Sequence, residues 1–407
     1  MANSTDIAII GCGFSGTLLL HHIVSNENSP LRISVFDPSP HKFHGLAYST
    51  QQIEHLLNVR ADKMGAQPDN INGFYEWLQT NGQTYAPHDF VPRRLYGDYL
   101  AEIGKNTLLQ AKAKNIDVIF VAEWVESIER EDSHYMLNKK CAAQKIILAT
   151  GNRLPDNPFD FDFSKVDKNA PVAVVGTGLT GVDTIMSLLA AGHRSVITAY
   201  SRNGKFPRPH TALPTSLHKP HVHVENFQGK PLSTFLNIIR KNLADPWQAG
   251  IDALRPLTTS IWQALSLQDK QRFMKRGLTW WNIHRHRMAE SIDQRLQQAL
   301  TSGQVKIERR NFKVQEGHSF AQVFDCRGPD YKIEKQVHLN ALLADGTLQA
   351  HETGLGLKVI ATTYCVSTAG APSIYAIGNL LFGEYFETTA IPELRVQAQE
   401  IAKQILG

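Results

Sequence analysis

Six residues near the amino terminus, Gly11-Cys-Gly-Phe-Ser-Gly16, have the types and spacing of a turn that cradles a pyrophosphate. Gly11 permits the tight turn, Gly13 lets the backbone approach the phosphates, and Gly16 allows a helix to pack closely on a strand, with Phe14 and Ser15 as further contacts in the turn. Asp37 stands 26 positions after Gly11, where a carboxylate accepts hydrogen bonds from the two hydroxyls of a ribose. The pattern returns 165 residues later as Gly176-Thr-Gly-Leu-Thr-Gly181, with Gly176, Gly178, Leu179, Thr180 and Gly181 as the expected contacts. There the position 26 after the first glycine is Arg202, beside Ser201. An acid at that place repels a 2′-phosphate and suits FAD or NAD, whereas an arginine grips the 2′-phosphate of NADP through charge-assisted hydrogen bonds. A solvated surface arginine is the plainer alternative. FAD in the first turn and NADPH in the second is the economical assignment.

The elements that must position these turns follow from hydrophobic period. Asp6–Ile10 reads as a buried strand, the helix after the first turn runs to about Val24, and Ile33–Phe36 is the next strand. In the second copy Val172–Val175, Val182–Ala191 and Ser195–Tyr200 play the same parts. Between them Asp117–Val121, His134–Leu137 and Lys145–Leu148 are expected as a β-meander inserted in the first domain, ending in Ala149-Thr150-Gly151. The Pro-rich stretch from Leu154 to Pro171 is the expected linker. Residues 231–302 have helical patterning, with one long amphipathic stretch over 269–300. Val323-Phe-Asp-Cys-Arg-Gly328 and Ser373-Ile-Tyr-Ala-Ile-Gly378-Asn379 read as strands, and Glu387-Thr-Thr389-Ala390-Ile-Pro-Glu-Leu-Arg395 leads into a final helix with Pro392 in its first turn. The fold class expected is α/β, with two Rossmann-like dinucleotide-binding domains in three layers. Residues 1–168 and 318–407 form the FAD-binding domain, and 169–317 the NAD(P)-binding domain with a helical insert at about 231–302.

Composition narrows the function classes. The 407 residues carry 42 Lys and Arg against 38 Asp and Glu, a net +4 that gives no electrostatic case for nucleic acid. Four cysteines at 12, 141, 326 and 365 include no close pair, so redox-pair and zinc spacings are absent and a cytoplasmic setting is expected. The apolar run from Ile7 to Val24 lacks a basic flank and breaks at glycines and His21-His22, so no membrane partner is expected. His221-Val-His-Val-Glu225 could present three ligands on one strand face, but no fourth ligand matches it and no metal is expected. Lys275, Arg276, His284, Arg285, Arg287 and Arg295 give the amphipathic stretch a basic face, either solvated or turned toward an anionic cofactor or substrate.

Taken together, these residues resemble the two-dinucleotide-binding-domain flavoproteins, the group containing flavin-containing monooxygenases, amino-acid N-hydroxylases and pyridine-nucleotide disulfide reductases. More narrowly, the chain is similar to bacterial FAD/NAD(P)-binding proteins in Gly45-Leu-Ala-Tyr48, His55-Leu-Leu-Asn-Val59, Pro92-Arg-Arg-Leu-Tyr-Gly97, Ser201-Arg-Asn-Gly204 and Glu387–Arg395. The resemblance implies that Gly11–Gly16 and Asp37 bind FAD, that Ala149, Thr150 and Gly151 line the passage between domains, and that Gly378 and Asn379 meet the flavin's ribityl and phosphate groups. It places Thr389 and Ala390 at the helix end facing the flavin. Asn379 departs from the Gly-Asp of many relatives, and Arg327 stands where a small residue is expected.

Disulfide reduction is excluded because it needs two cysteines beside the flavin. The resemblance implies an oxidoreductase in which NADPH reduces flavin and O2 then forms a C4a-hydroperoxide that oxygenates a small substrate, with an amine or amino acid as the leading class. Asn58, Arg60, Arg208 and His210 are the candidate catalytic side chains. An NADPH:acceptor reductase or oxidase, and a non-catalytic FAD/NADP sensor or scaffold, are the rival readings. The oligomeric state is open.

Overall fold

Alternation in the first strand divides its side chains between two apolar cores. In the computed structural model, which describes residues 3–39, 43–152, 158–211, 229–242, 247–328, 330–360 and 363–407, this strand is β1 (Asn3–Ile10). Ile7 and Ile9 join one cluster and Ala8 and Ile10 the other, as a strand covered on both faces requires. The chain continues through α1 (Phe14–Asn26), β2 (Arg32–Phe36), α2 (Gly73–Thr80), α3 (Arg93–Ala113) and β3 (Asp117–Val121). Then come β4 (Ile128–Arg130), β5 (Tyr135–Leu137) and β6 (Cys141–Leu148).

The second glycine turn lies between β7 (Val172–Val175) and α4 (Leu179–Ala190), which is followed by β8 (Ile197–Tyr200). Among the described residues six helices succeed it: α5 (Leu232–Asn242), α6 (Trp247–Leu254), α7 (Thr258–Ala264), α8 (Leu267–Arg276), α9 (Leu278–Arg285) and α10 (Glu290–Thr301). Next are β9 (Val305–Glu308) and β10 (Gln322–Asp325), and then α11 (Asn340–Ala344), β11 (Ile374–Ala376), α12 (Phe382–Tyr385) and α13 (Ile391–Leu406).

Among the described residues the first sheet has seven strands, ordered β3-β2-β1-β6-β5-β4 with β11 also on β6. Only the β4–β5 and β5–β6 pairings are antiparallel. Helices α1, α3 and α13 bury one face, while β4, β5 and residues between 333 and 381 cover the other, giving three layers. The second sheet, β10-β7-β8-β9, is wholly parallel, and α4 and α10 pack on it. The fold is therefore α/β with one mostly parallel and one wholly parallel sheet, each carrying a glycine turn after its first strand.

Several expectations change. Asp117–Val121 is not part of the meander but the parallel edge strand beside β2, whose register pairs Ile33 with Val118. The antiparallel ribbon is built from β4, β5 and the start of β6, because Asn138 and Lys139 adopt positive φ and reverse the chain between β5 and β6. Residues 322–325, expected with the returning first domain from 318, pair with β7 in the second sheet. The long helix over 269–300 is three helices, because Gly277 and the extended segment around His286–Ala289 interrupt it. His221, His223 and Glu225 lie outside the described residues, as do residues 153–157 of the linker.

The tightest steric demand falls on Gly16, where a Cβ would stand 1.9 Å from the Gly11 carbonyl oxygen. Gly16→Ala is expected to destabilise the chain by about 2–3 kcal/mol through overpacking, measured as a lowered urea midpoint at unchanged slope.

Candidate functional site

Both glycine turns are closed by backbone packing. Gly11 has φ +100° and Gly176 φ +109°, a left-handed conformation that suits glycine. A Cβ on Gly11 would stand 2.3 Å from the carbonyl oxygen of Ala149, and one on Gly176 2.6 Å from that of Cys326. A Cβ on Gly181 would stand 2.1 Å from the Gly176 carbonyl oxygen, repeating the Gly16 contact. Cys326-Arg327-Gly328 is thus the counterpart of Ala149-Thr150-Gly151 in the other sheet, a pairing the spacing does not disclose. Arg327 forks onto Asp325, with Nε 2.8 Å from one carboxylate oxygen.

Three helices begin beside these turns without a side-chain cap: α1 at Gly13, α4 at Gly178 and α13 at Ala390. In α1 and α4 the first N–H groups remain available to an anion, whereas α13 offers only that of Ile391, because Pro392 has none and the Glu393 N–H bonds the Ala390 carbonyl at 3.1 Å. Phe14 stacks on Tyr96 at 6.3 Å between centroids and belongs to the core, so it offers the turn its N–H only. Ser15 is half-buried in the first turn of α1, and Thr389 is exposed just ahead of α13. Asp37 accepts from Cys12 N–H at 2.7 Å and from Ser39 N–H at 2.8 Å, and each oxygen keeps capacity for a ribose hydroxyl.

Asn379 donates through Nδ2 to the Gly151 carbonyl at 3.0 Å and contacts Asn152, whereas its Oδ1 is buried with no hydrogen-bond partner. Gly378 N–H is held by Gln397 Oε1 at 3.1 Å. The orphaned amide oxygen, the uncapped helix ends and the side-chain-free turn together fit a flavin dinucleotide. In the second turn, Gly178 faces open space, Leu179 and Thr180 are half-exposed, and Ser201 N–H is tied to the Glu308 carbonyl at 3.0 Å. Arg202 is exposed, and among the described residues its guanidinium has no hydrogen bond or ion pair.

Asn58, Arg60 and His210 converge on the seam between the two units. His210 Nε2–H donates to the Asn58 carbonyl at 3.0 Å, and its ring meets Phe90 at 4.8 Å, over which Arg60 lies at 6.0 Å. Asn58 therefore contributes its backbone oxygen to the contact. Arg208 joins through its main chain, bonding Ile283 and Met288, and its side chain is exposed.

The basic face of the helical insert is divided. Lys275 and Arg276 are solvated, whereas the Arg285 and Arg287 side chains are only 9% and 5% exposed. Arg285 lies 3.5 Å from Glu387, which also accepts from Trp281 Nε1 at 2.7 Å. Arg287 pairs with Asp252. The Nε atoms of both arginines are buried without a hydrogen-bond partner. Phe90 and Asp252 carry no motif signal, and only the folded chain reveals their place here.

A broad groove of about 920 Å³ lies elsewhere, at the amino ends of the first sheet's strands, lined by Thr5, Asp6, Arg32, Asp117 and Lys145 among others. Open α/β sheets bind ligands at the carboxyl ends, where both glycine turns stand.

Residues 8–153 match the family described as FAD-NAD(P)-binding. No curated protein sequence matches the chain. Among solved structures, the chain is similar to the Kutzneria sp. 744 ornithine N-hydroxylase, solved with reduced FAD, NADP+ and L-ornithine, at 14% identity, TM-score 0.62 and 99% of both chains covered. L-lysine 6-monooxygenase from Pseudomonas syringae gives 13%, 0.63 and 99% of each. Bacillithiol disulfide reductase from Staphylococcus aureus gives 12%, 0.56, and 99% and 98%. The chain thus shares the two-dinucleotide-binding-domain fold of these flavoproteins. No helix among the described residues is long and apolar enough to cross a membrane, and none of their His, Cys, Asp and Glu side chains cluster as a metal site.

Burial and the neighbouring Arg287, opposed by the Asn58 carbonyl, push His210 down from 6.5 to about 4. The unfolded chain takes up this proton below about 6.5 and the folded chain refuses it until about 4, so stability falls as pH falls through that window. His210→Gln is expected to flatten this part of the profile, read as the melting temperature between about pH 7 and pH 4.

Proposed function

We propose that the chain is an FAD-dependent oxidoreductase that takes hydride from NADPH and, with O2, oxygenates a small substrate, most favourably an amine or amino acid. The observation that carries this reading is the contrast between two turns of one construction. Asp37 is locked into the first by Cys12 and Ser39, while Arg202 stands unengaged at the equivalent place in the second. When bound, FAD supplies hydride acceptance and the activation of oxygen.

The chain's own groups bind and orient. Gly11, Gly13, Gly16 and Asp37 hold the adenylate end, the α13 N-terminus with Thr389 and Ala390 faces the ring, and Ala149–Gly151 with Gly378 and Asn379 line the middle. Gly176–Gly181, Ser201 and Arg202 hold NADPH. Arg60 and His210 wall the seam, and the insert keeps water from it. The buried Arg285 and Arg287 guanidinium groups, paired with Glu387 and Asp252, keep Nε donors without a partner that would turn toward a substrate carboxylate.

Two experiments test this. Arg202→Ala is expected to raise the KM for NADPH about tenfold or more, the loss of a charge-assisted contact of about 1.5–3 kcal/mol, with the NADH value unchanged; equal effects on both would remove Arg202 from the phosphate site. For the reaction itself, the flavoprotein is reduced by NADPH without oxygen, then mixed with oxygenated buffer and candidate amines or amino acids. Oxygenated product formed at the expense of H2O2 supports the monooxygenase. Stoichiometric H2O2 whatever is added supports the oxidase or reductase, and no reduction by NADPH supports the sensor.

A further inference from the structure

One segment of the first unit touches the first turn and the helix that follows the second. A Cβ on Gly45, at φ +60°, would stand 2.6 Å from the Gly13 Cα, so this segment rests on the first turn. Ten residues on, the fully buried His55 spans from Thr50 Oγ1 (2.8 Å from Nδ1) to Ser187 Oγ (2.7 Å from Nε2). Arg93, whose N–H and Nε bond the carbonyls of His55 and Leu56, reaches Asp183 at 2.9 Å with the two side chains 12% and 8% exposed. Phe159 packs on both, 5.6 Å from the His55 ring and 5.5 Å from the Arg93 guanidinium. Asp183 and Ser187 are one helical turn apart on α4, hence on one face, and α4 is the helix that springs from the second turn.

We propose that Thr50, His55 and Arg93, closing on Asp183 and Ser187, form a clasp that sets the position of the second glycine turn against the first, and with it the reach of bound NADPH toward the flavin. These are positioning residues; none lies in a cradle. A buried ion pair adds little net stability, because desolvation offsets attraction, but it is satisfied only in a narrow geometry. The paired hydroxyls on His55 demand the same. The insert is anchored separately, through Arg255 on Glu393 at 2.9 Å and Trp262 Nε1 on the Gly383 carbonyl at 2.8 Å. The clasp is thus a polar tie between the first unit and the helix that springs from the second turn, separate from the insert's anchors and from the His210–Asn58 hydrogen bond.

The role in hydride transfer rests on the NADPH assignment above, so the test has two readouts. A triple variant, Arg93→Met, Asp183→Leu and Ser187→Ala, replaces the ion pair with apolar groups of similar size, a change that commonly leaves stability intact; Ser187→Ala alone is the milder companion. In anaerobic stopped-flow at saturating NADPH, the limiting rate of flavin reduction is expected to fall about tenfold or more in the triple variant, since ~1 Å of misplacement costs on the order of 10²-fold. The Kd for NADPH, the FAD content and the melting temperature are expected to hold.

An unchanged limiting rate in a folded, FAD-loaded variant overturns the proposal, as does a loss that merely tracks the melting temperature. The second readout needs no NADPH chemistry. Nitroxides at Leu109→Cys on α3 and Ala190→Cys on α4, with Cys365→Ser, give a spin–spin distance across the clasp. A broadened or displaced distance in the triple variant supports the clasp, and an identical one overturns it. If NADPH fails to reduce the wild type, the function reading falls while this distance still decides the clasp.

Discussion

Everything in the first unit depends on a contact between main chains that leaves no space for a side chain. The carbonyl oxygen of Ala149, at the end of β6, occupies the volume a Cβ on Gly11 would need, and the Gly11 carbonyl occupies that of Gly16. From this follow the height at which β6 stops, the angle at which α1 leaves β1, and the exposure of uncapped N–H groups at the carboxyl end of the sheet. Gly45 extends the constraint outward by lying on Gly13. The second unit repeats the device against Cys326, so two turns of similar shape arise from sequences that share little besides glycine spacing. They differ in one side chain each, an acid bonded into the first turn and an arginine without a partner at the second.

The seam between the units works by the opposite principle, packing charge rather than excluding atoms. Arg255, Arg285 and Arg287 are each matched to a carboxylate, Glu393, Glu387 and Asp252, of which Glu387 lies just ahead of α13 and Glu393 in its first turn. Burying guanidinium groups in this way is costly unless each is paired. Folding of the insert is therefore coupled to the correct seating of the residues that would face the flavin. His210 is held neutral within this positive surround, which keeps its ring a donor to the Asn58 carbonyl instead of one more cation.

The parts of this arrangement legible in the sequence are the local ones. A strand, a glycine turn, a helix and a second strand lie within about thirty residues, and period and turn chemistry identify them without knowledge of the rest. Strand neighbours are another matter. Asp117–Val121 reads equally well as a ribbon strand or a parallel edge strand, and only its pairing with β2 decides. Residues 322–325 carry no mark of the sheet they join. Helix breaks inside a basic amphipathic pattern are weak signals, so Arg285 and Arg287 look no different from the solvated Lys275 and Arg276. Contacts such as Phe90 on His210, or Arg93 on Asp183, join residues 90 or more apart and belong to tertiary packing alone.

β11 joins β6 across more than two hundred intervening residues, and α13 lies against α1. During synthesis the first turn therefore emerges early but waits. Its sheet lacks β11 and its helix layer lacks α13 until the second unit has been made, and the continuous β7–β10 unit is free to fold ahead of it. The first sheet, though begun by β1, is completed last. A chain arrested or cut before residue 374 would carry the first glycine turn intact yet lack β11 and the helix layer of α13 that close its unit.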